Sequence, residues 1–157
     1  MASKTVYTQS EASTEQFGKK LAQTVISGGF KTFLVLLEGE LGAGKTVLTK
    51  GIALGLGSTQ ITQSPTFVFL AVHSGGVMPL YHFDLYRIKD PSEVDELGFF
   101  EFLTREGVLV VEWGERVEDF LDYDLKINFK ITSHKARELR MEFCNHQLEE
   151  IYERTNL

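Results

Sequence analysis

The sequence predicts an α/β protein whose sheet has a parallel core with antiparallel additions and helices on both faces. Two runs of consecutive apolar residues, 33–37 and 108–111, are typical of buried parallel strands. Apolar and polar residues alternate over 125–131 and 139–143, as in antiparallel strands with one face in water. Helical patterns lie between the two apolar runs and supply the connections that parallel strands require.

The first predicted element is a helix near the N-terminus. Ser13 has the side chain of an N-cap, and Gln16 stands three residues later, where it would close a capping box. Two glycines at 28–29 would end this helix. The residues that recur at four-residue spacing and would face the core are Phe17, Leu21 and Val25.

The glycine-rich segment 39–46 is predicted to bind phosphate, because it fits the pattern G-x-x-x-x-G-K-[ST]. Its glycines let successive backbone N–H groups surround phosphate oxygens. Lys45 can reach the β- and γ-phosphates, and Thr46 can offer its hydroxyl to Mg²⁺. The strand at 33–37 precedes this loop, and a helical pattern that ends at Gly57 follows it. This order predicts a P-loop NTPase-like sheet that binds a nucleotide and Mg²⁺. The sequence has no Asn-Lys-x-Asp motif of the kind that recognises guanine, which favours ATP over GTP.

A hairpin is predicted in the middle of the chain. Residues 58–65 are polar and aperiodic, so we expect a loop there. Strands at 67–72 and 80–87 follow, separated by a glycine-rich turn at 74–76.

Residues 90–104 are predicted to form one helix. Asp90 would be its N-cap, Pro91 would take the first helical position, and Glu93 would close a capping box. Gly107 would stop the helix before the second apolar run.

Two carboxylates are candidates to complete a nucleotide site. Glu112 directly follows an apolar strand, at the sheet edge where ligands bind in open α/β sheets. Asp84 lies within an aromatic strand, where unpaired carboxylates are rare. The alternative for Glu112 is a surface charge at a strand end. The alternative for Asp84 is an ion pair with Arg87 or exposure on an edge. Arg87 could equally supply positive charge to the nucleotide.

Other polar residues give weaker signals. Thr66 lies in a loop after the phosphate-loop helix, where NTPases often place a threonine that senses the γ-phosphate. The histidines have no metal-ligand spacing and are interpreted as packed or exposed side chains. They are His73, His82, His134 and His146.

The composition indicates one domain and argues against nucleic-acid binding by this chain alone. The chain has 157 residues and a net charge of -6, whereas phosphate contacts need clustered Lys and Arg. Residues 1–12 and 146–157 are expected to be peripheral. The N-terminal segment has no apolar stretch typical of a signal peptide, and no apolar run is long enough to cross a membrane. We therefore expect a cytoplasmic location.

Four motifs together resemble the TsaE family, the ATPase subunit of bacterial tRNA threonylcarbamoyladenosine (t6A) synthesis. They occur in the family's order at 39–46, 64–67, 81–87 and 111–113. The resemblance covers roughly residues 14–137, and the string His-Phe-Asp-Leu-Tyr-Arg is its most specific part.

This resemblance implies a cytoplasmic Mg²⁺-ATPase that works with the threonylcarbamoyl transferase subunit TsaD and its paralogue TsaB. It implies contact with tRNA only through these partners, and no membrane association. The segments 64–67 and 81–87 would be switch regions. Thr46 and Glu112 would hold Mg²⁺.

The resemblance also implies roles for individual residues. The implied catalytic residues are Lys45, Asp84 and Glu112. The implied nucleotide contacts are Gly42, Ala43, Gly44, Lys45, Thr46, Val47, Thr66, Ser133 and His134, the last two near the base. Val47 replaces a hydroxyl residue that is usual in the family, so its contact with the α-phosphate would come from the backbone.

Two other functions remain open at this point. A small-molecule kinase would need a second substrate pocket and an Arg-bearing lid, and no insertion long enough for a lid is evident. A nucleotide-binding switch with negligible turnover is the third possibility.

Overall fold

The structure is a computed structural model that describes residues 2–63 and 69–155. Within them, eight strands form one sheet. The strands are β1 Ala2–Thr8, β2 Thr32–Gly39, β3 Gln60–Gln63, β4 Leu70–Ser74, β5 Leu80–Asp84, β6 Gly107–Glu112, β7 Leu125–Ile131 and β8 Arg137–Phe143. The α-helices are α1 Glu11–Ser27, α2 Lys45–Gly55, α3 Ser92–Glu96, α4 Phe99–Phe102 and α5 His146–Thr155.

The sheet has a parallel centre with antiparallel strands on both sides, as predicted. Its order is β1-β8-β7-β2-β6-β5-β4-β3. The β2 strand pairs in parallel with β6 and β7, and β5 pairs in parallel with β6. The remaining neighbours are antiparallel, and they include the predicted β4–β5 hairpin. This arrangement places the end of β2, where the glycine-rich loop begins, in the middle of the sheet.

Helices cover both faces of the sheet, because alternate residues of the central strands are apolar on each face. In β2, Val35 packs in the core shared with α1, α2 and α5. The next residue, Leu36, packs in the second core with α3 and α4. Within the described part of the chain, no helix is long and apolar enough to span a lipid bilayer.

The contact between α1 and α2 depends on glycines that let the two backbones approach. A Cβ atom on Gly51 would lie 2.1 Å from the carbonyl oxygen of Glu15. A Cβ atom on Gly18 would lie 2.5 Å from the carbonyl oxygen of Leu48. The close approach fixes α2, and with it the glycine-rich loop, against α1.

The N-cap prediction for α1 was wrong by three residues. Ser10 caps the helix: its hydroxyl accepts a hydrogen bond from the Ser13 backbone N–H at 3.1 Å. The Ser13 hydroxyl in turn accepts from the Ser10 N–H at 3.0 Å. Ser13 therefore has the third-position role that Gln16 was expected to fill.

Three other predicted boundaries differ. Part of the predicted loop 58–65 is the edge strand β3, which pairs with β4. The strand predicted over 80–87 ends at Asp84. The helix predicted over 90–104 is divided into α3 and α4 by Gly98, whose φ of 74° is left-handed. The start of the strand predicted at 67–72 lies outside the described residues.

Both terminal segments contribute to the fold. The β1 strand was not predicted and pairs along its whole length with β8. The α5 helix buries Leu148 and Tyr152 in the core, so the C-terminal segment is less peripheral than expected.

Candidate functional site

The glycine-rich loop joins the end of β2 to the start of α2 through backbone conformations that favour glycine. Gly39, Gly42 and Gly44 have φ values of 142°, 80° and 105°. A Cβ atom on Gly39 would also lie 2.8 Å from the carbonyl oxygen of Phe129. The first turn of α2 contains no acidic residue. The loop and helix thus present backbone N–H groups and a positive helix end to one space, which suits an anion.

Lys45 is the first residue of α2 and is almost completely buried. Its ammonium donates hydrogen bonds to the carbonyl oxygens of Gly39 and Glu40, the latter at 2.9 Å. The Lys45 Nζ atom also lies 4.1 Å from the centroid of the Trp113 ring. Burial lowers the pKa of Lys45, and the Glu112 carboxylate opposes that shift. A phosphate group would satisfy this charge better than neutral carbonyl groups do.

Thr46 and Glu112 meet across the site. The Thr46 hydroxyl donates toward the Glu112 carboxylate, at 3.1 Å from Oε1 and 3.2 Å from Oε2. The Nε2 atom of His82 contacts the same Oε2. Glu112 is buried, which argues against the alternative that it is a surface charge. Hydroxyl and carboxylate oxygens are the ligands that Mg²⁺ prefers, so Thr46 and Glu112 fit that ion.

Asp84 ends β5 directly beside Glu112, because these two residues are paired in the parallel register. It is exposed, and its Oδ1 atom accepts a hydrogen bond from the Tyr86 backbone N–H at 3.0 Å. Within the described ranges, Asp84 and Arg87 form no ion pair. The ion-pair alternative for Asp84 is therefore absent, whereas its exposure agrees with the other alternative, an exposed residue at an edge.

These groups line one open cavity of about 270 Å³. Its wall consists of residues 41–47, Asp84, Tyr86, Glu112 and Trp113, together with Glu11, Thr14, Lys135 and Arg137. The sequence-predicted residues Gly42, Ala43, Gly44, Lys45, Thr46, Val47, Asp84 and Glu112 are thus brought together. Thr66 lies outside the described residues.

Ser133 and His134 occupy the exposed turn between β7 and β8 and are not part of the cavity wall. The wall includes the next residue, Lys135, instead. Their proposed contact with the nucleotide base therefore stays a prediction.

Arg137 is a site residue that the sequence analysis missed. Its guanidinium donates to the carbonyl oxygens of Ala43 at 3.0 Å and Gly42 at 3.4 Å. It also donates to Ser133 and Ala136 in the adjacent turn, at 3.1 and 2.8 Å. The β7–β8 turn is thereby tied to the glycine-rich loop. No local motif marks Arg137, because its partners lie up to 95 residues away.

Behind the loop, Glu38 is a buried carboxylate at the end of β2. Burial raises the pKa of Glu38 to about 7, and the neighbouring Glu118 adds to that shift while Lys126 opposes it. Among the described residues, Glu38 Oε1 has no hydrogen-bond partner. Glu118 and Glu142 instead form ion pairs with Lys126, at 3.2 and 3.0 Å.

Comparison with known proteins gives one family. The family model "Threonylcarbamoyl adenosine biosynthesis protein TsaE" matches residues 8–140. The chain is 46% identical over 107 residues to a protein of Bacillus subtilis named tRNA threonylcarbamoyladenosine biosynthesis protein TsaE. That alignment covers 68% of this chain and 66% of the relative, just under two thirds of its length.

A second relative and one solved structure extend the likeness. The protein of the same name from Haemophilus influenzae is 35% identical over 130 residues, which are 82% of each chain. The crystal structure of YdiB from Bacillus subtilis superimposes with a TM-score of 0.78 at 31% identity. It covers 99% of this chain and 95% of that one.

Proposed function

The chain belongs to the TsaE family, and on that premise we propose that it is a Mg²⁺-dependent P-loop ATPase that serves tRNA threonylcarbamoyladenosine biosynthesis. One observation carries the nucleotide part of this proposal. The hydroxyl of Thr46, in the first turn of α2, meets the buried carboxylate of Glu112, at the end of a neighbouring parallel strand. Phosphate-loop NTPases hold their metal ion with these two kinds of residue in these two places.

In this proposal, the loop binds the phosphates of ATP. Residues 42–47 line the cavity, and backbone N–H groups of the loop and of the first turn of α2 would donate to phosphate oxygens. Lys45 would exchange its contacts with loop carbonyls for the β- and γ-phosphates. Thr46 and Glu112 would hold Mg²⁺, which when bound neutralises charge on the phosphate oxygens.

Asp84 is the residue that we assign to the attacking water. Its Oδ1 atom is held by the Tyr86 N–H, which orients the carboxylate and leaves Oδ2 available to accept a hydrogen bond from water. Asp84 is exposed in the same cavity as Lys45. A carboxylate in this position can align a water molecule for attack on the γ-phosphate and accept its proton.

The partners are proposed from the family. TsaD, the transferase subunit, and its paralogue TsaB would bind this chain, and ATP binding or hydrolysis would remodel their complex. The tRNA would be held by those subunits, since this chain has a net charge of -6.

The test is nucleotide turnover by the purified chain. We expect Mg²⁺-dependent formation of ADP and inorganic phosphate from ATP, lost on chelation of the metal. Phosphate transfer to a small metabolite, with no release of inorganic phosphate, would instead establish a kinase. Failure to bind ATP with or without Mg²⁺ would overturn the proposed function.

A further inference from the structure

We propose that His82 is a positioning residue, which orients the Glu112 carboxylate toward Thr46 and thereby sets the affinity of the site for its divalent cation. This inference rests on the proposed function. It gives a role to a residue that the sequence pattern alone indicates to be an ordinary packed or exposed histidine.

The sheet places His82 and Glu112 on the same face. Since β5 and β6 are parallel and in register, His82 pairs with Val110 and Asp84 pairs with Glu112. The two side chains are therefore diagonal neighbours on the face that α2 covers. The side chain of His82 is 13% exposed and that of Glu112 is 5% exposed, so water competes weakly for their contact.

The contact defines which groups hold the carboxylate. With Glu112 ionised, as a cation ligand is, its oxygens only accept hydrogen bonds, so the Nε2 atom of His82 carries the proton and donates it to Oε2. The Thr46 hydroxyl has one proton, which it shares between the two carboxylate oxygens at 3.1 and 3.2 Å. A cation that binds the Thr46 oxygen changes the geometry of this hydroxyl contact, whereas the His82 donor approaches Oε2 from β5 and can keep its hydrogen bond. Among the described residues, His82 is thus a second hydrogen-bond partner that holds the Glu112 carboxylate.

A second histidine supports the position of the first. His73, on the neighbouring strand β4, is buried, and its ring centroid lies 6.4 Å from that of His82. This packing limits rotation of the His82 ring. Residues that orient a metal ligand in this way typically change metal affinity by about 10- to 100-fold when removed.

The experiment measures the Mg²⁺ concentration that half-saturates the ADP-bound protein. Trp113 is the only tryptophan of the chain and lines the cavity, so its fluorescence reports on the site. We expect His82→Leu to raise the half-saturating Mg²⁺ concentration by about 10- to 100-fold. ADP affinity in EDTA should be unchanged, and His82→Gln, whose amide keeps an N–H donor, should restore most of the loss.

Tyr81→Leu is the matched control. Tyr81 is the preceding residue of β5, but it faces the opposite core and packs on Phe102. Its removal weakens the strand without touching Glu112, so its Mg²⁺ dependence should equal that of the wild type. An equal loss in Tyr81→Leu and His82→Leu would overturn the inference, as would a loss in His82→Leu that is the same with and without Mg²⁺.

A measurement on the wild type keeps the test decisive if His82→Leu does not fold. Nitrogen-15 NMR of the imidazole should show a protonated Nε2 on His82, both free and with ADP and Mg²⁺. An unprotonated Nε2 would overturn the inference. If wild-type protein binds no ADP under any condition, the proposed function fails first. If it binds ADP and Mg²⁺, but His82→Leu keeps wild-type Mg²⁺ half-saturation, only the role of His82 fails.

Discussion

Lys45 is the residue on which nucleotide binding should depend most directly. Lys45 is buried, and its ammonium contacts neutral carbonyl groups and the Trp113 ring. We expect Lys45→Ala to weaken ATP binding by about 2–4 kcal/mol, because the phosphates lose a desolvated charged partner. Calorimetry measures the change. Lys50→Ala, an exposed lysine on the same helix, should bind ATP as the wild type does. Equal affinity in the wild type and Lys45→Ala would contradict the phosphate-loop assignment.

Substitution of either carboxylate, Glu112 or Asp84, should lower the rate of ATP hydrolysis without destabilising the fold. Glu112→Gln and Asp84→Asn keep side-chain volume, so we expect near-normal melting temperatures together with suppressed ATP hydrolysis. Glu112→Gln should also weaken the Mg²⁺ dependence of nucleotide binding, because an amide is a poorer cation ligand than a carboxylate. Hydrolysis at the wild-type rate by either variant would remove that residue from the mechanism.

Glu38 should make stability depend on pH. Its folded-state pKa is raised from 4.5 to about 7, so between these values the folded protein holds more protons than the unfolded chain. The stabilising contribution is complete below about pH 4.5 and is lost as pH rises through about 7. We expect Glu38→Gln to show a smaller fall in melting temperature than the wild type between about pH 4.5 and pH 7, the interval between the two pKa values.

The control for this comparison is Glu106→Gln, which removes an exposed carboxylate and should leave the wild-type pH dependence intact. Parallel pH profiles for the wild type and Glu38→Gln would show that folding does not raise the pKa of Glu38.

At the residue scale, the site residues that could be predicted are those marked by a local sequence pattern. The Gly-rich loop, Lys45 and Thr46 follow from one local pattern, and Glu112 follows from its place after an apolar strand. Arg137 could not be found in this way, because its partners among the described residues are backbone carbonyls, so no complementary side chain marks it in the sequence. The role of His82 could not be predicted either, because its partner Glu112 is 30 positions away in the sequence.

At the element scale, the β7–β8 turn and the glycine-rich loop should act as one unit through Arg137. Hydrogen bonds from a charged donor contribute about 1.5–3 kcal/mol each where they are well formed. We expect Arg137→Gln to weaken ADP binding about tenfold or more, because the loop loses its bonds to the guanidinium. Calorimetry with ADP measures this effect.

Arg140→Gln serves as the control, since Arg140 is an exposed arginine on the same strand. It should bind ADP normally. If Arg137→Gln also binds ADP with wild-type affinity, the turn does not support the loop.

The elements themselves were predictable where their pattern is local. The strand, loop and helix that form the site were predicted because apolar runs, glycines and helical spacing each have a short range. The edge strands β1 and β3 were not predicted. The β3 strand is polar, and the alternating burial of β1 arises only from its pairing with β8. The α1 cap was misplaced because Ser10 and Ser13 are chemically equivalent caps, and the reciprocal bonds decide between them.

At the scale of the whole molecule, the net charge of the chain bears on whether it binds tRNA directly. The net charge of -6 opposes binding of a polyanion such as tRNA, whose phosphates need clustered Lys and Arg. We expect weak ATPase activity for the isolated chain, marked stimulation by assembled TsaD and TsaB, and no measurable tRNA binding at physiological salt without them. Hydrolysis assays and filter binding test both parts.

Two results would count against this description of the pathway. Tight tRNA binding by the isolated chain would contradict the electrostatic argument. ATPase activity that is indifferent to TsaD and TsaB would separate hydrolysis from the proposed remodelling.

The central position of β2 also bears on how the protein is made. Both neighbours of β2 are synthesised much later: β6 at Gly107–Glu112 and β7 at Leu125–Ile131. On the ribosome, β2 and the glycine-rich loop emerge as an apolar strand with neither partner, and Thr46 precedes Glu112 by 66 residues. Contacts this distant in sequence form slowly and leave apolar segments open to aggregation. Truncated nascent chains that end before β7 should therefore depend strongly on chaperones, whereas chains released after β8 should fold on their own.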